Sequence, residues 1–301
     1  MSKIFLNSTF KVFKLQYIPD AQGSVIDRIC YDELQYNPEI DLIRKKLVNT
    51  ILVEELYKGH DFIRGSSLIP STSRLYNNGR KDAKEIPDFG EVYSQLQIRV
   101  KINQLEHSDR VLKIGHFRFK LPKIIPAQLL ILIETEPGVI LVLTKIQPKL
   151  LSVIVDHFIN SLGCLMNSLN LPSSLLKELL NETVKGVESN RVGDLELSFN
   201  GIPTSNGTLN SLLINVQHQD IGKFDDGESF VESLYDHLRK QTAVDFNQLS
   251  LRKIRCRLFF MMSEGKIRFT SDMSFLPDPQ SYDDDRPTIW VVMFQLCDLC
   301  K

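Results

Sequence analysis

Between residues 225 and 273 the hydrophobic period changes from that of a helix to that of a strand, and this switch restricts the possible folds more than any other feature. Phe230, Val231, Leu234, Tyr235 and Leu238 recur at near-helical spacing, so they share one face. Asp225, Asp226 and Glu228 crowd the start, and Arg239 and Lys240 the end. That placement caps free N–H groups and opposes the helix dipole. After Leu249 the period is two. Ile254, Cys256, Leu258 and Phe260 point one way, Lys253, Arg255 and Arg257 the other. Ser263-Glu264-Gly265 makes a turn, and then Ile267 and Phe269 alternate with Lys266, Arg268 and Thr270. The stretch is predicted to form a capped helix, a connector and a two-stranded hairpin. One hairpin face is apolar; the other carries Lys253, Arg255, Arg257, Lys266 and Arg268.

Upstream, residues 9–17 alternate loosely as a first strand. Asn37-Pro38-Glu39 offers an N-cap, a proline at the first helical position and an acid in the first turn. The helix that follows places Ile43, Leu47, Ile51 and Leu52 on its buried side and stops at Gly59. Residues 66–87 are polar around Asn77-Asn78-Gly79 and read as a loop. Val92, Leu96, Ile98, Val100 and Ile102 alternate with polar neighbours as a half-buried strand. It is expected to pair through a turn at 106–109 with a strand over 111–119. Residues 129–133 and 139–143 are apolar on both faces, as in central strands, and are joined at Glu136-Pro137-Gly138.

Helical spacing resumes over 148–169, and a second helix follows over 175–180. Residues 195–199 and 209–216 read as strands, and 288–300 as a buried strand or a short helix. Meanders with segregated helices imply an α+β fold, with antiparallel sheets and helices packed on one face. The expected division is an N-terminal α+β part, 1–120, and a C-terminal part, 121–301, with the chain as one continuous domain the alternative.

Chemistry is mostly excluded. There is no Gly-x-Ser-x-Gly elbow, no phosphate-binding glycine loop and no His-Glu-x-x-His, and the six histidines are scattered. No enzyme, cofactor or metal is expected. Cys297-x-x-Cys300 has a metal-like spacing but no second ligand pair, so it reads as two thiols near a packed terminus. An odd set of five cysteines suggests a reducing compartment, which makes the sequons at Asn7, Asn181 and Asn206 chance occurrences. The apolar run over 129–143 is broken by charge, proline and glycine, so no membrane span is expected and the chain reads as soluble and intracellular. With 36 basic against 37 acidic residues, any anion binding must be local. The hairpin's basic face is that local feature. Two readings of it stand: Asp283-Asp284-Asp285 or a covering helix neutralises it, or it meets nucleic acid or an acidic protein. The pattern shows no aromatic on that face, which favours backbone contact over base stacking.

Several stretches resemble the CENP-L family of inner-kinetochore subunits in its fungal form. Residues 5–15, FLNSTFKVFKL, resemble the family's opening strand. Residues 141–145 followed by 151–158, LVLTK and LSVIVDHF, resemble its central strand-to-helix passage. The closest likeness runs from FVESLYDHL at 230–238 through Ile254-Arg255 to SEGKIRF at 263–269. The loop over 66–87 and the acidic segment after Pro277 depart from the family.

The resemblance implies a non-enzymatic structural subunit of the kinetochore at centromeres in the nucleus, acting in chromosome segregation. It implies pairing with a CENP-N-type protein as a heterodimer, association with other inner-kinetochore subunits, and contact with centromeric DNA or nucleosomes through the complex. By that analogy Ile254, Cys256, Leu258, Phe260, Ile267 and Phe269 bind the partner, and Lys253, Arg255, Arg257, Lys266 and Arg268 face DNA. The alternative is a stand-alone nucleic-acid-binding module that uses the basic face.

Overall fold

The computed structural model describes residues 5–19, 23–29, 37–59, 88–107, 110–122, 124–186, 189–201, 211–224, 229–270 and 289–300. The chain begins with β1 (Thr9–Gln16), α1 (Val25–Ile29), α2 (Pro38–Gly59) and α3 (Phe89–Gln95). A meander follows: β2 (Gln97–His107), β3 (Arg110–Leu121), β4 (Ile125–Glu136) and β5 (Val139–Lys145). Then come α4 (Pro148–Asn160), β6 (Leu165–Ser168), α5 (Ser173–Gly186), α6 (Ser189–Val192), β7 (Leu195–Asn200), β8 (Ser211–Val216) and α7 (His218–Ile221). The last part holds α8 (Phe230–Thr242), β9 (Ser250–Arg255), β10 (Phe259–Met262), β11 (Lys266–Phe269) and α9 (Ile289–Cys300).

Among the described residues the strands join in one antiparallel sheet, ordered β2-β3-β4-β5-β1-β11-β10-β9-β7-β8. β1 is its seam. One side pairs along residues 11–16 with β5; the other meets β11 at residues 9–11 and β6 at residues 13–16. The first strand therefore ties the early meander to strands formed more than 240 residues later. The expected boundary near residue 120 falls at the end of β3, a strand paired on both sides.

Alternate residues of β1 enter different cores. Phe10 and Val12 join one with residues of α5, α8 and α9, while Phe13 and Leu15 join another with residues of α1, α2 and α4. Successive strand residues point to opposite faces, so these cores lie on opposite sides of the sheet. The fold is α+β, as the sequence pattern implies. The helices, however, are not gathered on one face: α1, α2 and α4 pack on one side of the sheet, and α5, α8 and α9 on the other. A strand buried on both faces needs this arrangement, and Leu130–Ile133 and Ile140–Leu143 are buried at every position.

Caps and turns agree with the sequence where the chemistry is local. Asn37 Oδ1 accepts from the backbone N–H groups of Glu39 and Ile40, at 2.9 and 3.2 Å, and starts α2. Gly138 turns β4 into β5 with φ +97°. Two local readings are corrected. Val92 and Leu96, expected in a strand, are both buried, Val92 within α3 behind the N-cap Asp88 and Leu96 as its C-cap. The helical spacing expected to reach residue 169 ends at Asn160, because Gly163 at φ +65° reverses the chain into β6. The terminal alternative resolves as a helix. Ile289, Val292, Met293, Leu296, Cys297 and Cys300 line its buried side at helical spacing. No helix among the described residues is long and apolar enough to cross a membrane.

A pH dependence follows from α4. His157 is fully buried, with Nε2 3.0 Å from Glu39 Oε2 on α2. Burial holds its pKa below the ordinary 6.5 despite that carboxylate, so the folded ring is neutral near physiological pH. Buried His116 shifts in the same direction. Near pH 6 the unfolded chain therefore binds more protons than the folded one. These groups favour folding fully above pH 6.5, and their contribution is lost as pH falls below it. The expected result is a melting temperature that declines from pH 7 to pH 5, as each histidine withdraws at most about 1.4 kcal/mol of stability per pH unit. His157→Gln should flatten the decline; an unchanged slope in that variant rejects the assignment.

Candidate functional site

The hairpin does not present a free edge. β10 lies between β9 and β11, and β11 between β10 and β1. Ile254, Cys256, Leu258, Ile267 and Phe269 fill the chain's own core with residues of α5, α8 and α9. They support the sheet from below and offer no surface to another chain.

The strand expected over 253–260 is two strands. Cys256-Arg257-Leu258 turns β9 back into β10, with the Cys256 N–H donating to the Phe259 carbonyl at 2.9 Å. The turn inverts the alternation. Leu258 and Phe259 are both buried, and Phe260 is opposite Arg255 and Arg268 on the basic face. The expectation that Phe260 shares the apolar side is thus corrected. The doubled Phe259-Phe260 is the sequence signal for this, because two adjacent aromatics break a strict period of two. Arg257 is corrected as well. It sits in the turn, its N–H donating to the Val192 carbonyl at 2.8 Å, and its Cβ closes on Gly193.

On the remaining face the register builds a short grid. Lys266 lies opposite Lys11 of β1, Arg268 opposite Thr9, Phe260 opposite both Arg268 and Arg255, and Arg255 opposite Glu196 of β7. Lys11 was not among the residues selected from the sequence, because pairing with a strand some 255 positions away leaves no local trace.

The charges are partly answered from within. Lys253 pairs with Glu196 and lies 5.8 Å from the Phe260 ring centroid. Arg255 reaches the same carboxylate at 3.7 Å but stays 65% exposed, which leaves little net stabilisation in that pair. Lys266 meets Glu264 at 3.4 Å. Lys11, Arg255, Lys266 and Arg268 are all exposed. The face is therefore a solvent-facing cluster with net positive charge and an aromatic at its centre. Asp283-Asp284-Asp285, the counterweight expected from sequence, lies outside the described residues.

The open edge of this half of the molecule is β8. Its only strand partner among the described residues is β7. Leu212 and Ile214 are half-buried against the helix-side core, and Leu213 is 54% exposed on the opposite, basic side. Apolar side chains along an unpaired edge suit strand addition.

Cys297 and Cys300 are both buried in α9, and burial pushes Cys300, like Cys256, up to about 11. Among the described residues no three His, Cys, Asp or Glu side chains are grouped to hold a metal ion.

Comparison with known proteins adds one likeness. The family model described as "CENP-L: Centromere protein L" matches residues 140–300, more than half of the chain. No curated protein matches.

Proposed function

The chain belongs to the CENP-L family, a structural family of the centromere and kinetochore in the nucleus, and from that premise we propose that it pairs with a CENP-N-type protein through the β8 edge. In this reading the chain is a non-enzymatic scaffold of the inner kinetochore. The pair contributes to kinetochore assembly and chromosome segregation, with the basic grid over β1, β11, β10 and β9 turned toward centromeric DNA or the nucleosome.

The observation that carries the reading is an unpaired edge strand with apolar side chains inside the matched region. Strand addition supplies backbone hydrogen bonds along the edge, and half-buried Leu212 and Ile214 supply the apolar contact. The buried hairpin residues hold the platform in shape.

Deleting the chain after residue 248 is a poor test of pairing, because it removes β9, β10 and β11 from the middle of the sheet. Edge substitutions are better. Lysine at an edge position blocks pairing without removing a core strand. In the full chain, Leu212→Lys with Ile214→Lys should lower the melting temperature, because both side chains rest on the core, yet leave the chain folded, since no core strand is removed. Co-purification with a CENP-N-type partner should fall at least about tenfold, since buried apolar contacts of this kind contribute a few kcal/mol. A folded double variant that pairs at full strength sinks the edge assignment. A gel shift with the chain alone separates the scaffold from the stand-alone alternative: the scaffold binds DNA weakly without its partner, and the module binds it fully.

A further inference from the structure

β2 is the other edge strand, eleven residues long, and it pairs only with β3 among the described residues. It lies before the region that the family model covers, so the following inference stands apart from the functional reading above.

The two faces of β2 differ sharply. On one, Arg99 lies directly opposite Arg118 of β3, Gln97 opposite Lys120, and Lys101 opposite buried His116. Arg99, Lys101, Arg118 and Lys120 are all exposed, and none is in an ion pair among the described residues. Like charges directly across a ladder destabilise it, so this face is held against its own repulsion. On the other face Ile98 is half-buried, Val100 is buried and Ile102 is 39% exposed.

Cations on an edge strand often serve only to repel other edges. That explanation covers Arg99 and Lys101. It does not cover Arg118 and Lys120, which are one strand further in and guard no edge. A block two strands wide, unanswered among the described residues and next to backbone that they leave unpaired, fits an incoming ligand.

We propose that β2 takes an added strand from a protein partner, an extended segment in which acidic residues alternate with apolar ones. Same-face side chains on a strand repeat at about 6.8 Å, and strands lie about 4.8 Å apart. Carboxylates on the added strand therefore fall beside Arg99 and Lys101 and within reach of Arg118 and Lys120. Its apolar residues fall beside Ile98 and cover Ile102. A nucleic-acid backbone satisfies the cations alone: it does not pair with an open peptide edge, and it leaves the isoleucine row wet.

The test uses the full chain and two fluorescein-labelled peptides of one composition. One alternates Glu and Val through seven residues; the other places its Glu and Val in separate blocks. Binding is followed by anisotropy, with unlabelled duplex DNA as competitor. The alternating peptide is expected to bind at least about tenfold tighter than the blocked one, and Arg99→Glu with Lys101→Glu to weaken it roughly tenfold or more while the melting temperature is retained. Equal binding of the two peptides reduces the site to bulk charge and overturns the proposal. So does the absence of saturable binding by either peptide. Duplex DNA that binds as tightly as the alternating peptide, and loses as much in the double variant, reassigns the patch to phosphate.

Discussion

Replacing Gly265 with alanine is expected to destabilise the chain by roughly 3–5 kcal/mol, enough to unfold a domain of ordinary stability. Gly265 closes the turn between β10 and β11 at φ +70°. A Cβ there would stand inside the van der Waals envelope of the Leu169 carbonyl oxygen and 3.3 Å from that of Val12. Neither obstacle is a side chain that can swing away. The same turn accepts the Val12 N–H at the Gly265 carbonyl and the Leu171 N–H at the Ser263 carbonyl, both at 2.8 Å. Displacing the turn therefore loosens the seam strand and the segment leading into α5 together.

Gly163 supplies the control. Its φ of +65° is similar, but nothing lies within 4 Å of an added Cβ. Gly163→Ala carries only the left-handed backbone cost of about 1–2 kcal/mol. Chemical denaturation of both variants separates conformational strain from collision. Equal losses at the two sites, or a loss at Gly265 below about 1 kcal/mol, reject the close-packed turn.

The second large effect concerns the basic grid. Arg255→Glu with Arg268→Glu is expected to weaken duplex DNA binding by the chain and its partner roughly tenfold for each reversed charge. The slope of log affinity against log salt should become shallower by about two, because each lost phosphate contact removes about 0.9 from it. Both side chains are exposed on the strand face, so folding should survive. Arg257→Glu is the contrasting variant. Arg257 lies in the turn beside Gly193, off the grid, and its reversal should leave the slope where it was. An unchanged slope in the double variant leaves the grid as solvated surface, with the Glu196 and Glu264 pairs sufficient to hold it.

The contrast between Arg255 and Arg257 shows where sequence reasoning stopped. Both are basic, two residues apart, and an unbroken strand would put them side by side. The turn at 256–258 contains neither glycine nor proline, so its only local trace is the doubled Phe259-Phe260 that follows it. It exists because β7 and β10 both pair with β9, and those neighbours come from distant parts of the chain. Phe260 was assigned to the wrong face for the same reason: one extra reversal exchanges inside and outside for everything after it. Lys11 was missed because its neighbours on the grid come from the far end of the chain. By contrast, the helix over 230–242 is legible down to its basic last turn, although its N-cap is Ser229 and not one of the acids expected there. Asp225, Asp226 and Glu228, expected at its start, lie outside the described residues, as do Cys30 and the loop over 66–87.

The amino-acid sequence alone determined what depends on near neighbours: the helical period of 230–238, the Asn37 cap, the turn at Ser263-Glu264-Gly265, and the doubly buried strands at 129–133 and 139–143. These follow from side-chain spacing and backbone sterics within a few residues. Only the tertiary structure decided that β1 is the seam, that helices cover the sheet from both sides, and that β2 and β8 each have a single strand partner among the described residues. Pairing between distant strands is selected by the burial of the whole sheet, and no local window contains that information.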